Sequence, residues 1–459
     1  MKEKLSSIPS VDRIMSEPQI KDLLKKLPRE KVLEAIRHSI EKERESIKSG
    51  LNPGTKSEIK TRIIRDALTA ALEECAPSLV RVVNATGIIV HTNLGRSILP
   101  AEAIRLVIEA ACGYTNIEFD LKEGRRGSRL VHLKKYFREL TLAEDSLAVN
   151  NNAAAIMLIL DTFAKGREVI VSRGEFIEIG GSFRLPEVLK KSGAILREVG
   201  CTNKTYLHDY EDAINENTAM ILKIHKSNYD IIGFVHEVTS AEIAALGKKY
   251  NILTAEDLGS GLMTDLSQYN LYGEPTVKQV VKSGVDLITF SGDKMLGGPQ
   301  AGIVVGRSDL IARMEKNPLH RALRLDKMTI AALEGMMALY REPDKLEEKL
   351  PFLKMLAYTP DQLRDRIEKF LEKLKVKQKN IAKFSIINGF SKVGGGAFPT
   401  TDIPTTLLAI EMPDHSPDTL YRKFLDNNPP VLGRIYNDKF VLDFRTVLPE
   451  EEEIIWRIL

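Results

Sequence analysis

Lys294 has the sequence surroundings of a reactive amine. It follows an apolar run from Asp286 to Ser291, and a Gly-Gly-Pro turn at 297–299 leads from it into another apolar run. Burial at the end of a strand lowers the pKa of a lysine, and the neutral amine can then form a Schiff base with a carbonyl group. The alternative is an ordinary surface lysine in a turn.

Asp257 closes a second apolar run, which begins at Ile252 and is followed by Leu-Gly-Ser-Gly at 258–261. A carboxylate at the end of a buried strand is costly unless it meets a cation or a hydrogen-bond donor. Asp257 could keep a pyridine ring nitrogen protonated, which makes such a ring an electron sink. Taken alone, it could equally be a helix N-cap or a turn aspartate.

A third strand end lies at 149–155, where a valine leads into three asparagines and three alanines. Backbone N–H groups at the start of a helix bind phosphate, and small side chains let the anion approach. We therefore predict phosphate binding by Asn151, Asn152 and Ala153, with Ser291 as a second donor. An asparagine N-cap on an ordinary helix is the alternative.

The order of these features along the chain favours the chemical interpretation of all three. A phosphate turn, then an acid, then a lysine 37 residues further on resembles the order found in fold-type-I pyridoxal-phosphate enzymes. We therefore expect pyridoxal 5'-phosphate as the cofactor, with Lys294 as the Schiff-base residue and Asp257 at the ring nitrogen.

The elements that must position these residues alternate between strands and helices. Apolar, β-branched runs separated by helix-length segments predict a mainly parallel sheet that is covered on both faces, with ligands beyond the carboxyl ends of its strands. The predicted strands span 146–149, 168–172, 194–199, 219–225, 252–257 and 286–291. The expected fold is α/β, of the aminotransferase-like fold-type-I class, with 71–340 as the cofactor-binding core.

The two ends of the chain differ from this core. Residues 1–70 contain sixteen Lys and Arg against eleven Asp and Glu, with apolar residues at helical spacing. They predict a basic helical domain that either binds tRNA or serves as a solvated cap or dimerisation arm. Residues 341–459 are highly charged and helical through Lys379 and then strand-like, which favours a small α+β domain.

Composition excludes several classes of protein. The net charge is only +3, and the three cysteines match neither a disulfide framework nor a metal-ligand spacing, so we expect no metal. The chain starts with charged and polar residues, and its longest apolar stretch, 153–160, is too short to cross a bilayer. We expect a cytoplasmic protein with no membrane role.

Several longer strings resemble the bacterial selenocysteine synthase family, the L-seryl-tRNA(Sec) selenium transferases, and the resemblance covers nearly the whole chain. The strings lie at 81–96, 116–120, 124–129, 173–182, 291–300, 394–399 and 430–445. The resemblance implies seryl-tRNA(Sec) as substrate, selenophosphate as donor and a homo-oligomer built as a ring of dimers. In it, Lys294 corresponds to the cofactor lysine, and Arg96, Arg321 and Arg324 to anion-binding arginines.

The positions of several further polar residues in the sequence indicate possible roles for them. Arg321 and Arg324 are three apart, so on a helix both would face one oxyanion, although a solvated or ion-paired face is the alternative. His225 and Asn228 follow a strand and could line the pocket, or could pack in a turn. An aminoacyl ester has no free carboxylate, so Arg445 is expected to be structural.

The expected reaction removes the α-proton of the seryl group with Lys294, expels water to give an aminoacrylate, and adds selenium at the β-carbon. One alternative is a stand-alone pyridoxal-phosphate lyase acting on a small amino acid or amino sugar. Another is an RNA-binding or assembly factor whose cofactor site is vestigial. The basic N-terminal domain favours a tRNA substrate over the small substrate of a lyase. The intact lysine, acid and phosphate turn disfavour a vestigial cofactor site.

Overall fold

Residues 5–50, 54–179, 183–375 and 382–459 are described by a computed structural model of the chain. They form two units, 1–81 and 82–459. Helix is expected through Lys379, and residues 376–379 lie outside the described residues, as do the last three residues of the string at 173–182. No helix of the described residues is long and apolar enough to span a bilayer.

The described residues of the first unit form the helices α1 (Val11–Met15), α2 (Pro18–Leu24), α3 (Arg29–Lys48) and α4 (Lys56–Cys75). Isoleucines from all of them form one core, and a capping box between Thr55 and Glu58 starts α4. The predicted helical character of this region is confirmed. Helix α4 runs through residue 70, the boundary expected from the sequence, and the unit extends to residue 81.

The strands of the second unit are β1 (Val83–Asn84), β2 (Ile88–Val90), β3 (Phe119–Asp120), β4 (Arg125–Arg126), β5 (Asp145–Val149), β6 (Glu168–Ser172), β7 (Glu178–Ile179), β8 (Phe183–Arg184), β9 (Ile195–Val199), β10 (Thr218–Ile224), β11 (Leu253–Gly259), β12 (Leu287–Ser291), β13 (Gly302–Gly306), β14 (Lys383–Gly394), β15 (Ile403–Glu411), β16 (Val431–Leu432), β17 (Arg434–Tyr436) and β18 (Lys439–Asp443).

Its helices are α5 (Ala101–Cys112), α6 (Val131–Thr141), α7 (Asn152–Phe163), α8 (Leu185–Lys191), α9 (Leu207–Ala213), α10 (Ser240–Tyr250), α11 (Val277–Lys282), α12 (Ser308–Lys316), α13 (Pro318–Ala322), α14 (Lys327–Leu339), α15 (Leu346–Lys349), α16 (Pro351–Ala357), α17 (Pro360–Lys375), α18 (Pro417–Leu425) and α19 (Glu452–Ile458).

Seven strands form the central sheet in the order β5-β13-β12-β11-β10-β6-β9. All neighbouring strands are parallel except β13, which runs antiparallel to both β12 and β5. All six predicted strands are present within one or two residues. The predicted α/β fold with a mainly parallel central sheet is therefore confirmed.

The two faces of this sheet are buried in different cores because successive side chains of a strand point to opposite faces. Ala148, Ile288 and Ile303 belong to one core, and their chain neighbours Leu147 and Leu287 belong to the other. Burial on both faces explains why these strands read as continuous apolar runs in the sequence.

A second sheet has the order β17-β18-β15-β14-β2 and contains the C-terminal strands together with one strand from near residue 90. Strand β2 pairs in parallel with the end of β14, so that Val90 lies opposite Gly394. The C-terminal sheet is therefore completed by a segment that precedes the central sheet in the chain. Because the pairing is parallel, the segments that follow Val90 and Gly394 leave the sheet side by side at the same edge.

Close packing at Gly302 fixes the start of α7 against the sheet. A Cβ atom at this position would lie 2.1 Å from the backbone oxygen of Asn151 and 2.7 Å from the amide nitrogen of Asn152. Both contacts are with backbone atoms, so a side chain here could be accommodated only by moving the first turn of the helix.

We expect Gly302→Ala to lower the free energy of unfolding by about 1–3 kcal/mol, because overpacking must shift backbone atoms. Urea unfolding followed by circular dichroism measures this change. Gly113→Ala is the matched control, since its Cβ would have its nearest neighbour at 4.0 Å. Equal stabilities for the two variants would contradict the close approach of β13 to α7.

Candidate active site

A cavity of about 700 Å³ lies at the carboxyl ends of the parallel strands, where ligands bind in sheets of this kind. Nine of the eleven residues that the sequence assigned to binding or catalysis line it: Arg96, Asn151, Asn152, Ala153, His225, Asn228, Asp257, Ser291 and Lys294. The fold therefore brings most of the residues predicted from the sequence together in one cavity.

The first turn of α7 forms one end of the cavity. Asn151 caps this twelve-residue helix, and its side-chain oxygen accepts a hydrogen bond of 2.9 Å from the N–H of Ala154. The preceding N–H groups, of Asn152 and Ala153, have no acceptor within the helix and can donate to an anion. Ser291, at the end of β12, adds a hydroxyl on the same cavity wall.

Asp257 lies deep in the cavity and accepts hydrogen bonds from two neighbouring elements. Asn152 Nδ2 donates to its Oδ1 at 2.7 Å, and Thr289 Oγ1 donates at 3.4 Å. Burial raises the pKa of Asp257, while the Asn152 bond and the charge of Lys294 oppose that rise. The side chain of Asn152 thus holds the acid, a role that the sequence prediction of phosphate binding did not foresee.

Lys294 follows β12 in a loop that is fixed on both sides. Ser97 Oγ donates to the Lys294 carbonyl at 2.6 Å, and the N–H of Met295 donates to the carbonyl of Ser260 at 2.9 Å. Burial lowers the pKa of the Lys294 amine, and the charge of Asp257 opposes this effect. A lowered pKa favours the neutral, nucleophilic form of the amine.

Arg96 contributes a partly neutralised positive charge to the cavity. Its Nη1 atom lies 2.5 Å from Oδ2 of Asp293, the residue before the lysine. Nε and Nη2 make no hydrogen bond to a described residue, so the rest of the guanidinium fork can bind an anion. Asp293 is a site residue that the sequence analysis missed, although it adjoins Lys294.

His225 and Asn228 follow β10 and also line the cavity. The N–H of His225 donates to the Asp257 carbonyl at 2.9 Å, which holds the two strand ends together. Asn228 Nδ2 donates to the backbone carbonyl of Glu178 at 2.8 Å, which leaves its side-chain oxygen available as an acceptor. The sequence placed both residues correctly at the pocket.

Arg321 and Arg324 do not line this cavity, and the prediction that they share one helix face is wrong. Helix α13 ends at Ala322 after a single turn, and Arg324 is paired in an extended bridge with Val149. Arg324 Nη1 donates to Glu118 at 3.0 Å, so this guanidinium is already ion-paired. A three-residue spacing gives a shared face only if both residues lie in one helix. The sequence contains no signal that α13 ends between Arg321 and Arg324.

Arg445 is fully buried, and its donors are taken up by acceptors of α16, β14 and β15. Nε donates to Ser391 Oγ, Nη1 to the carbonyls of Met355 and Leu356, and Nη2 to the carbonyl of Pro404. The expected structural role is confirmed. This guanidinium does not reach the cavity.

The glycine run at 394–396, at the end of β14, reaches the cavity. Gly395 and Gly396 line it, and both have left-handed backbone angles, with φ of 63° and 75°. A Cβ at Gly396 would lie 3.2 Å from Ser227 and 3.4 Å from Lys294 Nζ. Glycine therefore keeps open the space beside the amine, which consecutive glycines after a strand could have indicated.

These features together fit pyridoxal phosphate. Phosphate donors at a helix start, the carboxyl of Asp257 and the amine of Lys294 share one cavity, and the glycine run leaves room for a ring beside the amine. Among the described residues, no group of three or more histidine, cysteine or acidic side chains is arranged to hold a metal ion.

A solved structure titled D-glucosaminate-6-phosphate ammonia-lyase has the same fold. It superposes with a TM-score of 0.59 at 19% sequence identity, and the match covers 84% of this chain and 96% of that one. The fold and the cavity define a fold-type-I enzyme that depends on pyridoxal phosphate.

Sequence comparison then gives the family. The family model described as L-seryl-tRNA selenium transferase matches residues 82–448, and the one described as selenocysteine synthase N terminal matches residues 5–44. The chain belongs to the L-seryl-tRNA selenium transferase family.

Curated relatives with the name L-seryl-tRNA(Sec) selenium transferase match over nearly full length. The protein of Desulfomicrobium baculatum is 47% identical, with 98% of this chain and 96% of the relative covered. The protein of Carboxydothermus hydrogenoformans is 45% identical, with 100% and 98% covered. The protein of Solidesulfovibrio magneticus is 51% identical, with 83% and 82% covered.

We expect Asn152→Ala to weaken binding of pyridoxal phosphate about tenfold, because a hydrogen bond to a charged group contributes about 1.5–3 kcal/mol and its loss destabilises the ionised acid. Absorbance titration of the apoenzyme with the cofactor measures this affinity. Thr239→Ala is the control, since it removes the cap of α10, at a cost of about 1 kcal/mol of stability, at a residue that does not line the cavity. Unchanged affinity in Asn152→Ala would show that the amide does not support the acid.

Proposed function

We propose that the chain converts L-seryl-tRNA(Sec) to L-selenocysteinyl-tRNA(Sec) with selenophosphate as the selenium donor. Membership of the L-seryl-tRNA selenium transferase family supports this proposal, as do relatives of that name over the full length of the chain. The cavity supports it independently, through the residues that it combines and the charges that it provides.

The distribution of arginines carries the proposal. Arg96 is the only arginine among the described residues that line the cavity. Asp293 partly neutralises its charge. Arg445 donates its hydrogen bonds to carbonyls elsewhere. The described lining residues can therefore bind one anionic co-substrate at Arg96, and none of them supplies a second guanidinium for an α-carboxylate. An aminoacyl ester has no such carboxylate, whereas the small amino acid of a stand-alone lyase has one.

In this proposal, each residue of the cavity has one task. The amides of Asn152 and Ala153 bind the cofactor phosphate together with Ser291, and Asp257 holds a proton at the ring nitrogen. Lys294 Nζ attaches the cofactor and then takes the α-proton of the seryl group, for which its lowered pKa suits it. Bound pyridoxal phosphate supplies the electron sink that spreads the resulting negative charge.

The anion subsite is assigned to Arg96, whose free donors face the cavity beside Lys294. Arg96 and Lys294 are close enough for the positive charge of Arg96 to help lower the pKa of the lysine. Selenophosphate bound there would lie near the carbon that loses the hydroxyl group. Arg321 and Arg324 lie outside the cavity of their own chain, so any part they take in anion binding requires a second copy.

The tRNA is assigned to the first unit. Several basic side chains of α2, of α3 and of the turn between them are exposed and have no ion pair to a described residue, among them Lys21, Lys26, Arg29, Arg37 and Lys48. Exposed cations without protein partners favour a phosphate backbone, because binding releases the counterions of the nucleic acid.

A homo-oligomer, assembled as a ring of dimers as the family resemblance implies, is part of the proposal. Its support is a group of exposed apolar side chains in the second unit: Ile104, Ile108, Tyr114, Phe119 and Leu121. We also propose a cytoplasmic location, since aminoacylated tRNAs are used in the cytoplasm.

We expect Lys294→Ala to lose the yellow colour of the bound cofactor and to lower turnover by about 10³-fold or more, because the Schiff base and the base for the α-proton are lost together. The assay incubates the enzyme with seryl-tRNA(Sec) and selenophosphate and analyses the aminoacyl product by mass. Lys191→Ala, at an exposed lysine of α8, is the control. A coloured and fully active Lys294→Ala would refute the assignment.

Deletion of residues 1–81 should abolish tRNA binding and leave the cofactor colour unchanged, since the described cavity residues all belong to the second unit. Electrophoretic mobility shift measures tRNA affinity, and absorbance reports the cofactor. The full-length variant Lys26→Glu/Arg37→Glu should weaken binding and flatten its salt dependence. Unchanged tRNA affinity in both proteins would favour the small-molecule lyase instead.

A further inference from the structure

Ser227 lines the cavity with a hydroxyl group that no described residue uses. The residue is only 5% exposed. Its Oγ atom makes no hydrogen bond to a described residue, yet it keeps some accessible surface and is not sealed inside the protein. Hydroxyl groups that are removed from bulk water normally have a partner. This hydroxyl is therefore available to a ligand of the cavity.

The space that Ser227 borders is the space beside the Lys294 amine. A Cβ atom built on Gly396 would lie 3.2 Å from Ser227 Oγ and 3.4 Å from Lys294 Nζ. The hydroxyl and the amine thus face the same gap, which exists because residue 396 has no side chain. A small group of a substrate in front of Gly396 can contact both atoms.

The segment that carries Ser227 is held on both sides of the residue. The N–H of His225 donates to the carbonyl of Asp257 at 2.9 Å. Asn228 Nδ2 donates to the carbonyl of Glu178 at 2.8 Å. The position of the hydroxyl is therefore fixed before a substrate arrives, and a donor placed in this way needs no reorganisation during the reaction.

Several other polar side chains of the cavity wall already have partners. Asn152 Nδ2 donates to Asp257 at 2.7 Å. Arg96 is paired with Asp293 through one nitrogen of its guanidinium. Ser227 differs from these residues because its donor is uncommitted and lies beside the amine that takes the α-proton.

We propose that Ser227 is a catalytic residue that donates a hydrogen bond to the departing hydroxyl group of the seryl residue. This role rests on the proposed function. Lys294 Nζ must reach the α-carbon, and the next carbon carries the hydroxyl, so that oxygen falls in the space that the amine shares with Ser227. A fixed donor at an oxygen that gains negative charge stabilises the transition state.

The step requires one proton, and Lys294 supplies it. Nζ takes the proton from the α-carbon. As the bond between the β-carbon and oxygen breaks, its electron pair stays on the oxygen, and the proton moves from Nζ to that oxygen to form water. Ser227 keeps its own proton throughout and only donates a hydrogen bond. The amine is neutral again at the end of the step.

Comparison of two leaving groups tests this role. Ser227→Ala should slow the loss of water from seryl-tRNA(Sec) by about 10²–10³-fold, a usual effect of removing one donor to a developing negative charge. The same variant should release chloride from tRNA(Sec) charged with 3-chloroalanine at the wild-type rate, because chloride leaves without a proton. Mass analysis of the aminoacyl group after a single turnover without selenophosphate measures both rates.

Ser192→Ala is the matched control. Ser192 is 4% exposed, does not line the cavity, and donates its Oγ–H to the carbonyl of Leu189 at 2.6 Å. This variant should release water and chloride at the wild-type rates. Equal slowing of both leaving groups in Ser227→Ala would indicate a structural role, and unchanged rates would show that the hydroxyl takes no part. Either result overturns the inference.

Equilibrium binding tests the same contact without turnover. A tRNA charged with 2-methylserine keeps the hydroxyl but has no α-proton to lose, and a tRNA charged with 2-methylalanine lacks the hydroxyl as well. The wild-type enzyme should bind the first about 2–10-fold more tightly, which is the contribution of one hydrogen bond. Ser227→Ala should bind both equally. The same preference in both enzymes would contradict the contact.

The outcomes separate this inference from the proposed function. A wild-type enzyme that does not remove water from seryl-tRNA(Sec) would overturn the proposed function. Free serine and free 3-chloroalanine would then replace the two charged tRNAs, and their rates in Ser227→Ala would still decide whether Ser227 assists the departing oxygen.

Discussion

The buried carboxylate of Asp257 is the group on which the arrangement of the cavity depends. A carboxylate removed from water is stable only when donors or a cation replace its hydration. Here the donors come from α7 and β12, and the cation comes from the loop after β12. The acid therefore requires three elements in fixed register, and the close approach of Gly302 to the start of α7 maintains it.

The C-terminal sheet completes the cavity through one parallel strand pair. Because β2 pairs with the end of β14, the segments that follow the two strands enter the cavity together. The first brings Arg96, and the second brings Gly395 and Gly396, from about 300 residues further along the chain. The anion subsite and the space beside Lys294 are thus controlled by a sheet that contributes none of the phosphate donors or the acid.

The sequence predicted the central sheet and most of the cavity because both depend on local signals. Apolar runs followed by Asn151, Asp257 or Lys294 reveal strand ends, and parallel strands bring those ends to one edge. The contact of Asp293 with Arg96 was not predicted, because it depends on a partner distant in the chain. Arg324 was misplaced because a one-turn helix and a longer helix look alike over three residues.

The burial of Arg445 restricts how the substrate range of this enzyme could change. Its guanidinium joins α16, β14 and β15 by bonds to three carbonyls and one hydroxyl, so it is part of the framework that holds these three elements together. Releasing it toward a ligand would leave those acceptors without donors inside the protein, which is costly. Evolution of activity on free amino acids would thus require a new cationic side chain on the cavity wall, because Arg445 cannot leave its hydrogen bonds without a large cost in stability.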